Sequence, residues 1–554
     1  MDILIFSILT NVLYFCCGSI FVSDKKSDFH SQFYIYFVGV TTIAFISLFL
    51  NFFTPLNQSI NSAVYCTIVL AFAIKTKFIF NKKQINFLLF SSFITFLLIV
   101  YSNVNRPDAG LYHLPYISLI NENKIIIGAT NIHSRFGHVS ILQYLSAINN
   151  NYLFSENGIS IPLASIVSFF YFYFFYDVWK VFKKKETPDL AKFFSLFILI
   201  YISFKITRYS SFGNDAVGHL CFFYLISYVL KEDIKKINLK KILLISVFAF
   251  INKPMLGLVF IIPASIFFIK NNFELKKIFT LTFSFPALLL YLWLIKNILV
   301  SGCAVFPMKI TCLESLSWTN VQQIPFLRVE GSAWSKGWPD RINTKISMEE
   351  FSKNFNWVQA WSKNHLKYIL NIIIPFSAVL FFIVFYIKIR FKQSVINNDK
   401  DLRLRFLLLL TSSLIGVLSF FLLFPIYRYG YSYIVTLISL VLLITIKNKI
   451  NIKENTKIFQ IMFIFCFVLV IAKQVQKIYK KSSQTMWPNI YTLDSKNKIY
   501  KKNKVNIGNN FFYYLANSGD ALCMYSASPC TSYPIKKKIG YKLRFTYTIL
   551  TWND

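Results

Sequence analysis

Charged residues are scarce in this chain of 554 residues, of which Asp, Glu, Lys and Arg together make up only 15%. Soluble domains typically carry roughly 25%, which argues against a water-soluble domain as the main body. In place of charge, the sequence has apolar runs of about 17–25 residues, each long enough to span a bilayer. Such runs recur along the whole chain, for example at 33–53, 85–101, 278–300 and 406–424. They predict an integral membrane protein with many crossings.

The apolar runs also lack the alternation of apolar and polar residues that is typical of transmembrane β-strands. Lipid offers the backbone no hydrogen-bond partner, so such runs must form helices. Tandem repeats are missing, and the N-terminus lacks the basic start of a signal peptide. We therefore predict an all-α transmembrane bundle of about 14 spans by hydropathy, in which residues 1–21 are a retained first span.

Acidic residues are the scarcer charge: 24 of them stand against 59 Lys and Arg, and the net charge is +35. Such an excess can indicate nucleic-acid binding. Here the Lys residues collect in short loops, where anchoring at the cytoplasmic face explains them. We expect the lipid bilayer as a partner and no nucleic acid.

Loops rich in Lys and Arg alternate with loops that are nearly free of them. The basic loops lie at 25–26, 75–83, 180–185, 231–241, 270–277, 390–405 and 447–453. The positive-inside rule places them in the cytoplasm and both termini outside. Because residues 242–270 have basic residues at both ends, two crossings are needed there. We predict a helical hairpin broken at Asn252-Lys253-Pro254.

This topology divides the chain into six parts. Membrane spans occupy 1–101, 158–300 and 366–474, and extracytoplasmic segments occupy 102–157, 301–365 and 475–554. In the first outer segment, Val139, Leu142, Leu145 and Ile148 recur at helical spacing, which predicts a helix lying on the membrane surface. The second segment holds five of the nine Trp residues, and the third is a small polar tail.

Four of the nine cysteines form two close pairs on the predicted outer side, Cys303 with Cys312 and Cys523 with Cys530. An oxidising compartment favours disulfides. A zinc site is the alternative, but neither pair has a His nearby. The other five cysteines lie in apolar runs, where we expect them to pack in the core; they are Cys16, Cys17, Cys66, Cys221 and Cys466.

The densest group of reactive side chains begins the first outer segment, where Asp108, Tyr112 and His113 follow directly after a span. A carboxylate at the outer mouth of a span can take a proton from a substrate hydroxyl, and Tyr112 lies one helical turn further on. The alternative is that Asp108 caps a helix beginning at Ala109.

Three histidines of this segment, His113, His133 and His138, are possible metal ligands. Their spacing matches no zinc signature, so we assign no residue to a metal. A divalent cation remains an open possibility.

Single basic residues stand amid aromatics in the shorter outer loops, namely Arg208, Lys253 and Arg428, and Lys296 approaches the outer face at a helix end. A guanidinium fork suits a lipid-linked phosphate. The alternative for each is snorkelling to the interface without a ligand. Basic residues in three separate loops predict a shared site for an anionic ligand.

Taken together, these segments resemble the GT-C superfamily of glycosyltransferases and, more narrowly, a bacterial family of large GT-C-like membrane proteins. The matching pieces are Asp108-Ala109-Gly110-Leu111-Tyr112-His113, Asn131-Ile132-His133-Ser134-Arg135-Phe136-Gly137, Lys296-Asn297 with Ser301-Gly302 and Pro307, Arg428-Tyr429, and Cys523 with Pro529-Cys530-Thr531. The chain departs from many GT-C enzymes in having a single acid at the head of the first outer loop.

The resemblance implies a GT-C-like fold in the bacterial cytoplasmic membrane. It also implies sugar transfer on the outer face, from a polyprenyl-phosphate or polyprenyl-diphosphate donor to a glycan or lipid acceptor, for cell-envelope polysaccharide. Asp108 would then be the catalytic residue. The substrate-binding residues would be Tyr112, His113, His133, Arg135, Arg208, Lys253 and Arg428.

The alternative is a flippase or transporter for a lipid-linked or anionic substrate, and a polysaccharide polymerase or ligase is a near neighbour of the enzyme. A transporter should place ionisable residues deep within its spans. Here Asp177 and Lys205 lie near span termini, which favours a site on the outer face.

Overall fold

A computed structural model describes residues 1–22, 28–76, 80–102, 108–209, 213, 215–271, 274, 282–390, 400–446, 456–481, 483–492, 501–507, 511–516, 522–535 and 539–552. The α-helices are α1 (Asp2–Phe21), α2 (Phe29–Phe53), α3 (Gln58–Thr76), α4 (Lys82–Ile99), α5 (Leu114–Glu122), α6 (Ile141–Ile148), α7 (Ile161–Phe182), α8 (Leu190–Lys205), α9 (Asp215–Lys231), α10 (Leu239–Asn252), α11 (Ile261–Lys270), α12 (Phe285–Ser301), α13 (Gln323–Ser335), α14 (Met348–Ser352), α15 (Val358–Trp361), α16 (Lys367–Arg390), α17 (Lys400–Leu423), α18 (Tyr427–Ile446) and α19 (Thr456–Tyr479).

Shorter helical turns connect these helices. The 3-10 turns are Ala129–Asn131, Ser134–His138, Ser155–Ser160, Ile206–Arg208, Ile234–Lys236, Pro254–Phe260, Lys309–Thr311 and Trp338–Asp340, and the π-helical turns are Ala109–His113 and Ser362–Leu366. The chain is therefore mostly helical, as predicted.

Ten helical segments in the described ranges are long and apolar enough to cross a membrane, and they contain α1 to α4, α7, α8 and α16 to α19. The protein is thus a multi-pass membrane protein. The shorter helices pack among the long ones: α10 contacts α9, α11 and α12, and α12 contacts α2. The total of about 14 spans stays a prediction.

Polar side chains mark where several helices begin after a basic loop. Asp28, Asn81, Asp189 and Asn238 each accept a hydrogen bond from a backbone N–H in the first turn of α2, α4, α8 and α10. Such caps satisfy amide groups that the helix itself leaves unpaired. These helices therefore start where the basic loops end.

The hairpin predicted from the charge pattern is present. Helix α10 ends at Asn252, Lys253 has an extended backbone, and a 3-10 turn begins at Pro254 before α11 continues. Proline cannot donate the amide hydrogen bond that would continue α10. The break therefore leaves Lys253 at the end of the bundle where α8 ends and α9 begins.

The three predicted outer segments pack against one another on one face, where Asn131 Nδ2 of the first donates to Trp318 O of the second at 3.1 Å. The backbone N–H of Met524 donates to Gly110 O (2.9 Å), and that of Leu550 donates to Ile127 O (2.9 Å). Trp487 lies 5.8 Å from Phe6 near the start of α1, measured between ring centroids. The start of α1 and the tail are therefore on the same face. Which side of the membrane this face occupies stays a prediction.

The tail contains β-strands, whereas the all-α prediction concerned the transmembrane bundle and no secondary structure was predicted for the tail. It contains β1 (Lys502–Ile507), β2 (Phe511–Ala516), β3 (Cys530–Thr531), β4 (Ile539–Arg544) and β5 (Tyr547–Trp552). Strands β1 and β2 are antiparallel, β3 pairs parallel with β2, and β4 with β5 forms a separate antiparallel pair.

The predicted surface helix is also wrong in its placement. All eight residues of α6 are buried, because the helix packs against α2, α5 and α7. Its capping box joins Ser140 and Gln143. Helix α6 is therefore buried within the protein and does not lie on the lipid surface.

The structure pairs Cys303 with Cys312 and Cys523 with Cys530 in disulfides. Four of the five remaining cysteines are buried, but Cys66 on α3 is exposed, so the expected core packing is wrong for that residue.

Candidate functional site

A cavity of about 160 Å³ lies where α8 ends, α9 and α18 begin, and the turn after Asp108 approaches them. Its charged lining consists of Asp108, Asp215, Lys205, Arg208, Lys253 and Arg428. Its aromatic lining consists of Tyr112, Tyr201, Tyr209, Tyr368, Tyr427 and Tyr431, and His113 also lines it. Five loops or helix ends that are far apart in sequence thus meet in one place.

Asp108 stands immediately before the π-helical turn, but its side chain makes no capping hydrogen bond to that turn. Arg428 Nη1 donates instead to Asp108 Oδ2 at 2.6 Å. The alternative that Asp108 caps a helix beginning at Ala109 is therefore wrong in this structure. The carboxylate of Asp108 instead forms an ion pair with Arg428 within the cavity.

A second ion pair joins Lys253 to Asp215, the first residue of α9. Lys253 Nζ also lies 4.1 Å from the centroid of the Tyr429 ring, a cation–π arrangement. Asp215 and Tyr429 together hold the ammonium group at the helix break. Lys253 thus has a defined position beside the Asp108–Arg428 pair.

The other two cations of the lining come from the end of α8. Lys205 Nζ and the guanidinium carbon of Arg208 lie 5.6 and 5.8 Å from the centroid of the Tyr368 ring. Among the described residues that line the cavity, these four cations stand against two carboxylates, which leaves a net charge of +2. A partly enclosed surface with excess positive charge attracts anions.

Tyrosines form a connected wall of the cavity. The hydroxyls of Tyr201 and Tyr427 are 2.9 Å apart, and the Tyr431 ring stacks on both, with centroids 5.7 Å away. Rings of this kind present apolar faces and polar edges to a ligand. The wall therefore suits a ligand that has both a carbon skeleton and hydroxyl groups.

His219 fixes the start of α18, which carries Arg428. Its Nε2 lies 2.9 Å from Arg428 O, and its Nδ1 lies 2.7 Å from Ser432 Oγ. A carbonyl oxygen only accepts hydrogen bonds, so Nε2 carries the hydrogen and Nδ1 accepts from Ser432. This buried imidazole holds the backbone of Arg428 beside Asp108.

The pKa values of Asp108 and His113, which both line the cavity, are shifted. Burial favours the neutral form of Asp108, but the charge and hydrogen bond of Arg428 outweigh burial and lower the pKa of this carboxyl below its usual value. Burial lowers the pKa of His113 to about 4, and Gln143 hydrogen-bonds its Nδ1. Near neutral pH, Asp108 is therefore ionised and His113 is neutral.

The structure brings together six of the eight residues predicted for the site, but His133 and Arg135 do not line the cavity. His133 is buried, its Nδ1 accepts from the backbone N–H of Arg135, and its ring packs against Phe136 and Tyr533. Its contacts suit a role in packing the first outer segment onto the tail. A direct contact with substrate stays a prediction for both residues.

Two other expectations concern Lys296 and a metal. Lys296 is fully buried under the first outer segment, where its Nζ donates to Val139 O at 3.4 Å. Within the described part of the chain, no cluster of three or more His, Cys, Asp or Glu side chains is placed to hold a metal ion. A divalent cation therefore has no assigned ligands among the described residues.

Sequence reasoning missed Asp215 and the tyrosine wall. Asp215 was detectable as the acid that follows Arg208 within one outer loop and begins the next apolar helix. The tyrosines had no such signal, because 32 of them are distributed over an aromatic-rich chain. Only the packing of α8 and α18 distinguishes the three wall residues, Tyr201, Tyr427 and Tyr431, from the rest.

The histidines of the first outer segment, of which His113 and His133 are buried and His138 is half-buried, predict a loss of stability in acid. Burial lowers the pKa of His113 to about 4 and those of His133 and His138 to about 3, from an ordinary value of 6.5. The unfolded chain binds protons below pH 6.5 while the folded chain does not, so the stabilisation is complete above pH 6.5 and is lost as the pH falls towards 4. Each such group costs about 1.4 kcal/mol one pH unit below its ordinary pKa.

We expect the unfolding temperature of the detergent-solubilised protein to fall between pH 7.5 and pH 5. The variant His133→Gln should show a smaller fall, because Gln does not titrate. An equal fall in the variant and the wild type would contradict this assignment.

The fold and the cavity define a class: a multi-pass helical membrane protein with an anion-attracting cavity at one end of its bundle. A family model described as a domain of unknown function (DUF8201) matches residues 1–435, and the chain belongs to this family. All the cavity-lining residues lie within the matched segment, whereas the tail lies beyond it. No curated protein and no solved structure matches the chain.

Proposed function

We propose that this protein is a glycosyltransferase that uses a polyprenyl-phosphate-linked sugar on the outer face of the bacterial cytoplasmic membrane. The product would belong to a cell-envelope polysaccharide or glycoconjugate. The observation that carries the proposal is the pairing of Asp108 with Arg428 inside a cavity whose lining has a net charge of +2. A carboxylate beside excess positive charge suits the removal of a proton beside a phosphate leaving group.

The donor phosphate is proposed to bind at Arg428, with Lys253 and Arg208 nearby. A guanidinium fork can contact two phosphate oxygens at once. Nη1 of Arg428 is occupied by Asp108 in this structure, so phosphate would compete with the carboxylate for the same donor. Once phosphate takes that donor, Asp108 loses its counter-charge, its pKa rises, and it becomes a better base.

In the transfer step, Asp108 takes the proton of the acceptor hydroxyl while the acceptor oxygen bonds to the anomeric carbon of the sugar. The bond between that carbon and the phosphate oxygen breaks, and its electron pair leaves with the phosphate. Arg428, Lys253 and Arg208 stabilise the charge that develops there. The tyrosine wall, which includes Tyr201 and Tyr431, would contact the sugar.

A flippase or transporter, or a polymerase or ligase, stays the alternative. The buried carboxylate of Asp177 has three protein partners: Ser195 Oγ and Lys231 Nζ donate to one oxygen at 2.7 and 2.5 Å, and His30 Nε2 lies 3.2 Å from the other. These contacts hold the carboxylate among neighbouring side chains, and it does not line the cavity. The cavity at the other end of the bundle is the better candidate site.

The decisive experiment uses the purified protein in detergent, because chemistry then needs no sealed compartment whereas transport does. Lipid-linked sugars would be extracted from a strain in which the gene is deleted, where we expect the unused donor to accumulate. Adding the protein should convert these lipids to a new glycosylated product and release the polyprenyl phosphate. If the lipids are not converted in detergent although the protein restores envelope glycans in cells, the transport alternative replaces the proposal.

A further inference from the structure

The disulfide-closed loop of the tail packs directly on the turn that follows Asp108. The backbone N–H of Met524 donates to Gly110 O at 2.9 Å. A Cβ atom placed on Gly110 would lie only 2.2 Å from Met524 Sδ, and 3.0 Å from Leu522 Cδ1. The Cys523–Cys530 disulfide closes this loop. Gly110, two residues after Asp108, is thus in close contact with the tail.

The same loop also holds the far end of α5. The backbone N–H and Oγ of Ser528 donate to Glu122 Oε2 at 2.9 and 3.0 Å. Tyr525 Oη donates to Asn121 Oδ1 at 3.2 Å and accepts from Asn150 at 3.0 Å. The loop therefore contacts the segment from Gly110 to Glu122 at both of its ends.

We infer that the 523–530 loop is a positioning element for the site, and that Met524 is the residue through which it sets the position of Asp108. This inference rests on the proposed function for its effect on rate, although the mechanical coupling stands apart from it. The turn carries Asp108, Tyr112 and His113 into the cavity, while its other side meets Met524 and Leu522. Moving the loop would move these three side chains relative to Arg428.

The consequence is that a segment outside the matched family region contributes to the geometry of a site whose lining lies inside that region. An independent outer cap would not need a glycine opposite its loop. Here the absence of a side chain at Gly110 is what permits the close approach.

The first test adds a methyl group at this contact. Gly110→Ala should lower transfer about 10–100-fold at equal protein abundance, since small misplacements of catalytic groups have effects of this size. The double variant Gly110→Ala with Met524→Ala removes the clashing side chain and should recover at least part of the loss. The matched control is Gly331→Ala on α13, where the added Cβ meets only Phe424 at 3.8 Å.

Wild-type transfer by Gly110→Ala, or a double variant that recovers nothing, would overturn the role of Met524. A Gly331→Ala variant that is equally impaired would show that the loss is a general effect of an added methyl group on the outer face, which would also overturn it.

A second test does not depend on activity. Hydrogen–deuterium exchange would be measured on the purified full chain, for the wild type and for the double variant Cys523→Ser with Cys530→Ser. We expect faster exchange in the variant at 108–122, with the amides of α13 unchanged. If exchange at 108–122 is unchanged, the loop does not hold the turn. If exchange rises but even the wild type transfers no sugar, the proposed function fails while the positioning element stands.

Discussion

The variant Asp108→Asn is expected to lose transfer activity by about 10²–10⁴-fold, which is the usual contribution of a positioned general base. Asn has nearly the same shape and can still accept a hydrogen bond from Arg428, but it cannot take the acceptor proton. The measurement is the initial rate of product formation in detergent, at equal protein abundance and at several donor concentrations. The loss should appear in kcat, because the donor contacts of Arg428 and Lys253 remain.

The loss should not be a consequence of unfolding. The side chains of Asp108 and Arg428 are 34% and 47% exposed, and ion pairs this accessible contribute about 1 kcal/mol or less. The unfolding temperature should therefore change little. Glu349→Gln is a matched control, since it removes an exposed carboxylate of the second outer segment that pairs with Lys353 at 2.8 Å.

Near-wild-type transfer by Asp108→Asn would remove the catalytic assignment. Because Asp108 does not cap the turn that follows it, a loss of a cap is not available as another explanation for a slow variant. A loss of similar size in Glu349→Gln would point to a general effect of charge on the outer face.

Much of the site could be predicted because the positive-inside pattern fixes which helix ends share a face. Arg208, Lys253 and Arg428 stand at such ends, which predicted a shared site for an anion; the structure adds that Asp108 lines the same cavity. The break at Pro254 was also predictable, since proline removes a helical hydrogen bond. Loop charge and proline act locally on the chain, so their effects can be predicted without knowledge of the tertiary structure.

The errors arise where a local pattern is compatible with two environments. The spacing in α6 marks an apolar face, but it does not distinguish lipid from protein as the surface that covers this face. Tertiary packing decides that Gln143 is buried and that it hydrogen-bonds to His113. The contact between Met524 and Gly110 joins residues more than 400 positions apart, which no local pattern in the sequence records.

Replacing Arg428 tests the other half of the proposed site. Hydrogen bonds to charged groups contribute about 1.5–3 kcal/mol, so Arg428→Ala should lower kcat/KM about 10–100-fold. Arg428→Lys should lose less, because it keeps the charge but not the fork that contacts two phosphate oxygens. Arg341→Ala is the matched control, since this outer arginine stacks on Trp338 at 3.8 Å and does not line the cavity.

The two halves of the ion pair can be separated by combining the variants. If Arg428 only orients Asp108, then Arg428→Ala should add nothing once Asp108 is already Asn, and the two effects will be non-additive. If Arg428 also binds the donor phosphate, KM for the donor should rise in the double variant relative to Asp108→Asn alone. We expect the second result, because the double variant lacks the guanidinium fork that is proposed to contact two oxygens of the donor phosphate. An unchanged KM in the double variant would limit Arg428 to holding the carboxylate, and the phosphate would then have to bind at Lys253 and Arg208.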